Sequence, residues 1–221
     1  DVNVKITLEK GSDLLKADVE LENTAIEHRV RVLFRTGIDS EFSIADQQFG
    51  TIKRPTYLKE VENWEENGWN EKPRTIEPMQ SFVTLKNDDY GVAVFTDCVR
   101  EYQITGKGYN TIALTLFRSV PEMGKADLKD RPGRPSGMPW PTPDAQLLKK
   151  LRFNFAVKIY TKEESINKVA VKAKEYLTPF TGYQSAHFKN VDMFFLLNQP
   201  GAKDLPEEYS LFSFGQNNTV L

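Results

Sequence analysis

The chain has 221 residues, 39% hydrophobic and 27% charged, with 13 Gly and 12 Pro, a composition that excludes collagen, low-complexity disorder and a coiled coil. Its 29 Lys and Arg against 31 Asp and Glu leave a net charge of −2, which argues against binding nucleic acid or an anionic membrane by bulk charge. The single cysteine, Cys98, excludes an internal disulfide framework and a Cys-rich zinc site. No apolar run approaches about 18 residues and no basic-then-apolar leader is present, so the expectation is a chain that neither spans a membrane nor is exported. Residue 1 is Asp and the pattern is still strand-like at Leu221, so a piece of a longer polypeptide is expected.

In chain order, Val2, Val4, Ile6 and Leu8 alternate with polar residues, as a half-buried strand requires. Gly11-Ser12-Asp13 interrupts the pattern, and Leu15, Ala17, Val19 and Leu21 resume it. Val30, Val32 and Phe34 share one face of the run His28 to Arg35. Short polar joints between these three runs predict an antiparallel meander. Ser81–Leu85 and Val92–Thr96 flank Asn87-Asp88-Asp89-Tyr90-Gly91, a hairpin signal because such residues tolerate positive φ. Val99–Thr105, the turn Gly106-Lys107-Gly108 and Thr111–Val120 extend the meander. Leu151, Phe153, Phe155, Val157 and Ile159 form the longest clean alternation.

Glu163 to Leu177 sets Ile166, Val169, Ala170, Ala173 and Leu177 on one helical face, with Thr161, Glu163 and Glu164 suited to its N-terminus and Pro179 and Gly182 past its end. Asp192–Leu197 and Tyr209–Phe214 are expected to be further strands. The predicted fold is all-β: one large antiparallel β-sandwich of two stacked sheets over residues 1–221, with one or two short helices.

Two long stretches, Gln47 to Gln80 and Val120 to Gln146, lack any steady period. The second is dense in Pro and Gly and carries Arg131, Arg134 and Trp140. Loops of that length inside a domain are functional or disordered. Prolines restrict the unfolded chain and favour an ordered loop that docks on something over a solvated excursion.

The chemistry available is sparse. His28 and His187 are far apart, and a zinc ion needs three or four converging ligands, so both read as ordinary histidines. Cys98 has no histidine beside it and reads as a small buried hydrophobe. The acidic pairs Asp88-Asp89, Glu65-Glu66, Glu163-Glu164 and Glu207-Glu208 read as solvated charge rather than a glycosidase pair. Trp64, Trp69 and Trp140 lie in the two long loops, where an indole either stacks on a sugar or pins its own loop to the sandwich.

Phe49-Gly50-Thr51-Ile52-Lys53-Arg54-Pro55, Pro78-Met79-Gln80-Ser81-Phe82-Val83 and Ile112-Ala113-Leu114-Thr115-Leu116-Phe117-Arg118-Ser119, followed by RPGRPSG (131–137) and PTPDAQ (141–146), resemble the C-terminal β region of bacterial α-mannosidases. The family is glycoside hydrolase family 38, in its mannosylglycerate-hydrolase-like bacterial branch, and the resemblance runs from about Phe42 to Phe155.

The resemblance implies an absent N-terminal α/β barrel with a zinc ion, an Asp nucleophile and an Asp acid/base, followed by a helical domain. Hydrolysis in such enzymes retains anomeric configuration through a covalent glycosyl-enzyme. It also implies a cytoplasmic enzyme, often a homo-oligomer, acting on an α-mannoside, with no nucleic acid or membrane partner. The present chain would be inactive alone and would dock on the barrel, with Arg131, and second Arg134, reaching the mannoside. A guanidinium's rigid fork of donors suits hydroxyls or a phosphate. The competing expectation is an independent carbohydrate-binding module. A docking domain cut from its barrel should expose an apolar patch of several hundred Å².

Overall fold

A computed structural model describes residues 1–126, 128–133, 136–178 and 180–181. Residues 1–178 form one unit. Residues 179–221 group separately, and of them only Phe180 and Thr181 are among the described residues. The strands expected at Asp192–Leu197 and Tyr209–Phe214, and His187, therefore lie outside the described residues.

The first unit is a β-sandwich, as its alternating patterns predict. The strands are β1 (Val2–Leu8), β2 (Leu14–Glu22), β3 (Arg29–Arg35), β4 (Phe42–Gln47), β5 (Gly50–Pro55), β6 (Ile76–Met79), β7 (Phe82–Lys86), β8 (Tyr90–Thr96), β9 (Arg100–Thr105), β10 (Thr111–Arg118) and β11 (Lys150–Thr161). They form a seven-stranded sheet ordered β1-β2-β11-β8-β7-β4-β5 and a four-stranded sheet ordered β3-β10-β9-β6. The strand pairings are antiparallel. β11, the longest predicted alternation, lies between β2 and β8 in the larger sheet.

The main core fills the space between the sheets. Val19, Val83, Val94, Phe153 and Phe155 of the larger sheet meet Tyr102, Ile112, Leu114 and Phe117 of the smaller one. Phe117 stacks on Phe153 at 6.1 Å, and Phe34 meets Phe155 edge-on at 5.4 Å, so β10 and β3 lie over β11. Tyr102 Oη bonds Ser43 Oγ at 3.1 Å, which sets β9 over β4. A second core lies on the other face, where Val169 and Ala173 of helix α2 (Ile166–Leu177) cover Leu14, Phe82, Phe95, Ala156 and Tyr160. The helix starts later than Glu163: Ser165 adopts the extended cap conformation and its hydroxyl accepts from Lys168 N, giving a first-turn donor a partner.

The meander expectation fails at two joints, and side chains account for both. After β2 the chain crosses to the smaller sheet instead of pairing on. Buried Asn23 donates to the carbonyls of Gln146 and Leu147 at 2.9 and 3.1 Å, and Gln146 Oε1 accepts from Glu27 N at 2.9 Å, pinning the joint to the far end of the long second loop. After β8 the chain crosses again through Asp97-Cys98-Val99. Thr96 Oγ1 donates to the Cys98 carbonyl at 2.8 Å, and Arg100 spans Asp97 and the Leu116 carbonyl. Cys98 lies exposed in this bend and is not the buried hydrophobe expected of it.

The predicted hairpin of β7 and β8 forms, with Asn87 Oδ1 accepting from Asp89 N and Tyr90 N at 2.9 Å each. Gly91 serves a different purpose from a turn residue: a Cβ there would lie 2.2 Å from the Tyr160 ring across the strand pair, so only hydrogen fits.

Strands β4, β5 and β6 fall where no strand was expected. Ser43 and Asp46 are buried in β4 by their bonds to Tyr102 and Ser81, so polar residues break the apolar alternation without leaving the interior. Pro55 ends β5, Pro78 interrupts β6, and both strands are sheet edges, where proline is tolerated.

Candidate functional site

The two long insertions meet. The arms of the second run antiparallel to each other: Met123 N donates to Trp140 O at 2.9 Å, Thr142 N to Pro121 O at 2.8 Å, and Ser136 N to Lys125 O at 3.1 Å. The crossing is tight enough that a Cβ on Gly124 would fall 2.5 Å from the Gly137 carbonyl carbon. Among its described residues the loop's arms are thus joined by backbone hydrogen bonds, and a short 3-10 turn (Pro143–Gln146) returns it to β11.

Its tip folds into a turn in which Arg131 N donates to Leu128 O at 3.0 Å. That turn is fastened to the first insertion. Lys72 N donates to Asp130 O at 2.8 Å, Arg131 bonds one Glu71 oxygen through Nε (2.9 Å) and Nη2 (2.5 Å), and Arg74 pairs with Asp130. Four charged side chains of alternating sign lock two segments some sixty residues apart.

Between this clasp and the outer face of the smaller sheet lies a cleft of about 510 Å³. Arg29 of β3, Ile76 of β6, Glu101 of β9 and Arg118 of β10 form its sheet side, and Glu71, Arg74, Leu128, Lys129, Asp130 and Arg131 its loop side. Five basic groups face three acidic ones, an excess of two positive charges. Glu101 accepts from Thr115 Oγ1 at 2.9 Å and pairs with Arg29 at 3.6 Å and Arg118 at 3.4 Å. The neighbouring Arg31, which donates to Gln103 Oε1 at 3.0 Å, is held below its ordinary pKa by burial and then by the charge of Arg29, with Glu101 pulling the other way. Crowded cations around one carboxylate form a surface that favours anionic or hydroxyl-rich groups over cations.

Arg131 is therefore at the rim of the cleft, with two of its donors committed to Glu71. Arg134 lies outside the described residues. The tryptophans divide. Trp64, after the short helix α1 (Glu60–Asn63), is buried and pins its loop, whereas Trp69 and Trp140 are 45% and 63% exposed. The partners Glu71, Arg74, Asp130, Glu101 and Arg118 were not singled out from the sequence. For Glu71, Arg74 and Asp130 the only signal was opposite charge in two loops, which fixes no pairing until the sheets bring the loops together; Glu101 and Arg118 are strand residues whose partners lie on neighbouring strands.

Among the described residues no group of three or more His, Cys, Asp or Glu side chains could hold a metal ion. His28 packs edge-on against Phe117 and its Nδ1 lies 3.1 Å from Ser119 Oγ, so its ring is occupied by structure. These residues do not fit the zinc ion that the family resemblance assigns to its barrel.

The glycosyl hydrolases family 38 C-terminal domain profile matches residues 1–126. A curated protein of Halalkalibacterium halodurans named "Putative mannosylglycerate hydrolase" is 34% identical over 131 residues, which are 59% of this chain and 13% of that protein. Two solved structures are similar: a family 38 glycosyl hydrolase of Enterococcus faecalis (26% identity, TM-score 0.67, 84% of this chain and 19% of that one) and an alpha-mannosidase of E. faecalis V583 (27%, 0.64, 81% and 18%). The chain spans less than a fifth of the length of each. Since the profile covers more than half of its residues, the chain belongs to glycosyl hydrolase family 38, within that family's C-terminal domain.

Proposed function

We propose that this chain is the C-terminal β domain of a cytoplasmic retaining α-mannosidase. It packs on the catalytic barrel and helical domain of the same polypeptide and helps complete the mannoside site without catalysing hydrolysis itself. The observation that carries the reading is the clasp of Glu71, Arg74, Asp130 and Arg131, which ties two loops together at one arginine-lined cleft. Groups meant to meet a substrate need that kind of fixed support. Similarity to an alpha-mannosidase and to a protein named for mannosylglycerate supports the substrate class, an α-mannoside.

In this scheme the barrel supplies the carboxylates and the zinc ion, and the present residues bind and orient the sugar or an anionic group on it. Arg131 uses its remaining donors on substrate, and Arg134 is the second candidate. In the full-length enzyme Arg131→Ala lowers kcat/KM on an aryl α-mannoside by about ten- to a hundredfold, the size of one lost charge-assisted hydrogen bond. The melting temperature changes little. Unchanged kcat/KM would sink the assignment of Arg131.

Exposed Trp69 and Trp140 favour a second reading, an independent carbohydrate-binding module. Calorimetric titration of the 221-residue chain with mannose and short α-mannosides separates the two. Saturation at millimolar sugar selects the module, and absence of binding selects the docking domain.

A further inference from the structure

We infer that the sheet side of the cleft is a site for a doubly charged oxyanion, a phosphate group either free or as an ester, gripped by Arg29 and Arg118. The inference rests on the reading of the cleft as a ligand site and names the charge of what it takes.

The strand register places like charges together. Arg29 of β3 stands directly opposite Arg118 of β10, and both line the cleft. Like charges directly opposite each other destabilise an antiparallel pair. Arg31, two positions along β3, adds a third guanidinium to that face, since alternate residues of a strand point the same way. It donates to the neutral Gln103 Oε1, and the charge of Arg29 is the second cause, after burial, that lowers its pKa. The chain as a whole carries a net charge of −2, so three cations on one face are a local segregation of charge.

One carboxylate answers these guanidiniums. Glu101 approaches Arg118 at 3.4 Å and Arg29 at 3.6 Å, both longer than the about 2.7–2.9 Å of a strong charge-assisted hydrogen bond. Its Oε1 is also shared with Thr115 Oγ1. The Arg118 and Arg29 side chains remain 56% and 28% exposed, which leaves donors open to a ligand. On the loop side, by contrast, Arg131 is bonded to Glu71 and Arg74 to Asp130. The uncommitted positive charge therefore falls on the sheet side, with exposed Lys129 facing it from the loop tip.

The charge selects the ligand. Among the described residues lining the cleft, five basic and three acidic groups leave an excess of two positive charges. A carboxylate would cancel half of it, whereas a phosphate ester carries about −1.5 to −2 near neutral pH. Two guanidinium forks side by side also match an oxyanion with several equivalent acceptor oxygens better than they match lone hydroxyls. The cleft's 510 Å³ lies within the roughly 300–1,000 Å³ of small-molecule sites, so an ester fits as well as the free ion.

The test is calorimetric titration of the full-length enzyme with inorganic phosphate at mildly alkaline pH and low ionic strength. Phosphate should bind saturably, and Arg118→Gln should raise its Kd at least ~10-fold, the size of one lost charge-assisted hydrogen bond. Arg29→Gln repeats the measurement should Arg118→Gln perturb folding. No saturable binding, or a Kd that neither substitution alters, overturns the site. Sulfate, which keeps its double charge, should hold its affinity into mildly acidic pH, while phosphate weakens as it takes up a proton. Acetate binding as tightly as sulfate overturns the choice of a dianion. A hexose phosphate separates the sources: binding tighter than that of inorganic phosphate assigns the group to a sugar ester, equal affinity assigns the free ion, and both must weaken in Arg118→Gln. Turnover of an uncharged aryl α-mannoside, read on the same samples, keeps the two questions apart. An active enzyme that binds no phosphate loses this proposal and retains the function, and an inactive one that binds it does the reverse.

Discussion

The centre of the seven-stranded sheet and its β1 edge carry similar alternating sequence and meet opposite fates. At the centre, β8 and β7 are dry on both faces, with Val94 and Val83 turned to the smaller sheet and Phe95 and Phe82 turned to α2. At the edge, Val2, Val4, Ile6 and Leu8 of β1 are exposed, with no partner layer over them among the described residues. Periodicity states which face wants cover and is silent about what supplies it.

The largest predicted effect lies at the doubly covered centre. Phe95→Ala removes a ring that packs against Phe82 and Tyr176, and should destabilise the 221-residue chain by about 3–5 kcal/mol in a urea titration. A cost near 1 kcal/mol would mean that α2 does not seal that face.

Next is Lys158, which lies on the α2 side of β11 with a side chain only 6% exposed, between Asp13 and Glu164. Burial opposes its charge, but the bonds to Asp13 and Glu164 prevail and raise its pKa above the ordinary 10.5. The hydrogen bond from Lys158 holds the Asp13 carboxyl below its ordinary 3.8 against the opposing effect of burial. The Asp13 contribution is complete above pH 3.8 and disappears as pH falls through the lowered value. The Lys158 contribution is complete below pH 10.5 and disappears as pH rises through the raised value. Lys158→Met should cost about 1–2 kcal/mol at neutral pH, modest because Asp13 is 45% exposed and can rehydrate. It should also flatten both limbs of the melting temperature against pH. Unaltered limbs would show that other groups set them.

At the bare edge, Ile6→Ala should change the stability of the same 221-residue chain by no more than about 0.5 kcal/mol. Set beside Phe95→Ala, it measures directly what cover contributes. A loss of 2 kcal/mol or more at this position would mean that Ile6 is covered in the 221-residue chain. The smallest effect is expected at the clasp. Glu71→Gln weakens an ion pair whose partners are 54% and 34% exposed, worth about 1 kcal/mol or less. Its consequence should appear in the affinity of the full-length enzyme for mannoside, by loss of Arg131 positioning, before it appears in melting.

Much of the fold was legible. Val19, Phe153 and Phe155 announce buried strands by period two, and Val169 and Ala173 announce one face of a helix. β4 was illegible because Ser43 and Asp46 are interior through hydrogen bonds to residues distant in sequence. The crossing after β2 was illegible for the same reason: Asn23 finds its partners at Gln146 and Leu147, more than a hundred positions away. Of the candidate site, Arg131 could be picked out from its loop by resemblance, whereas Glu71 and Asp130 gave no local sign of the pairs they make.

By itself the sequence determined the faces of most strands, the helix, the all-β class and the family resemblance. These depend on near neighbours along the chain, whose spacing follows from backbone geometry alone. Only the tertiary structure decided which strand joins which sheet, that the two irregular insertions clasp each other around an arginine-lined cleft, and that β1 has no second layer over it among the described residues. Those outcomes depend on side chains far apart in sequence meeting in space, and no local pattern encodes a partner that folding has yet to deliver.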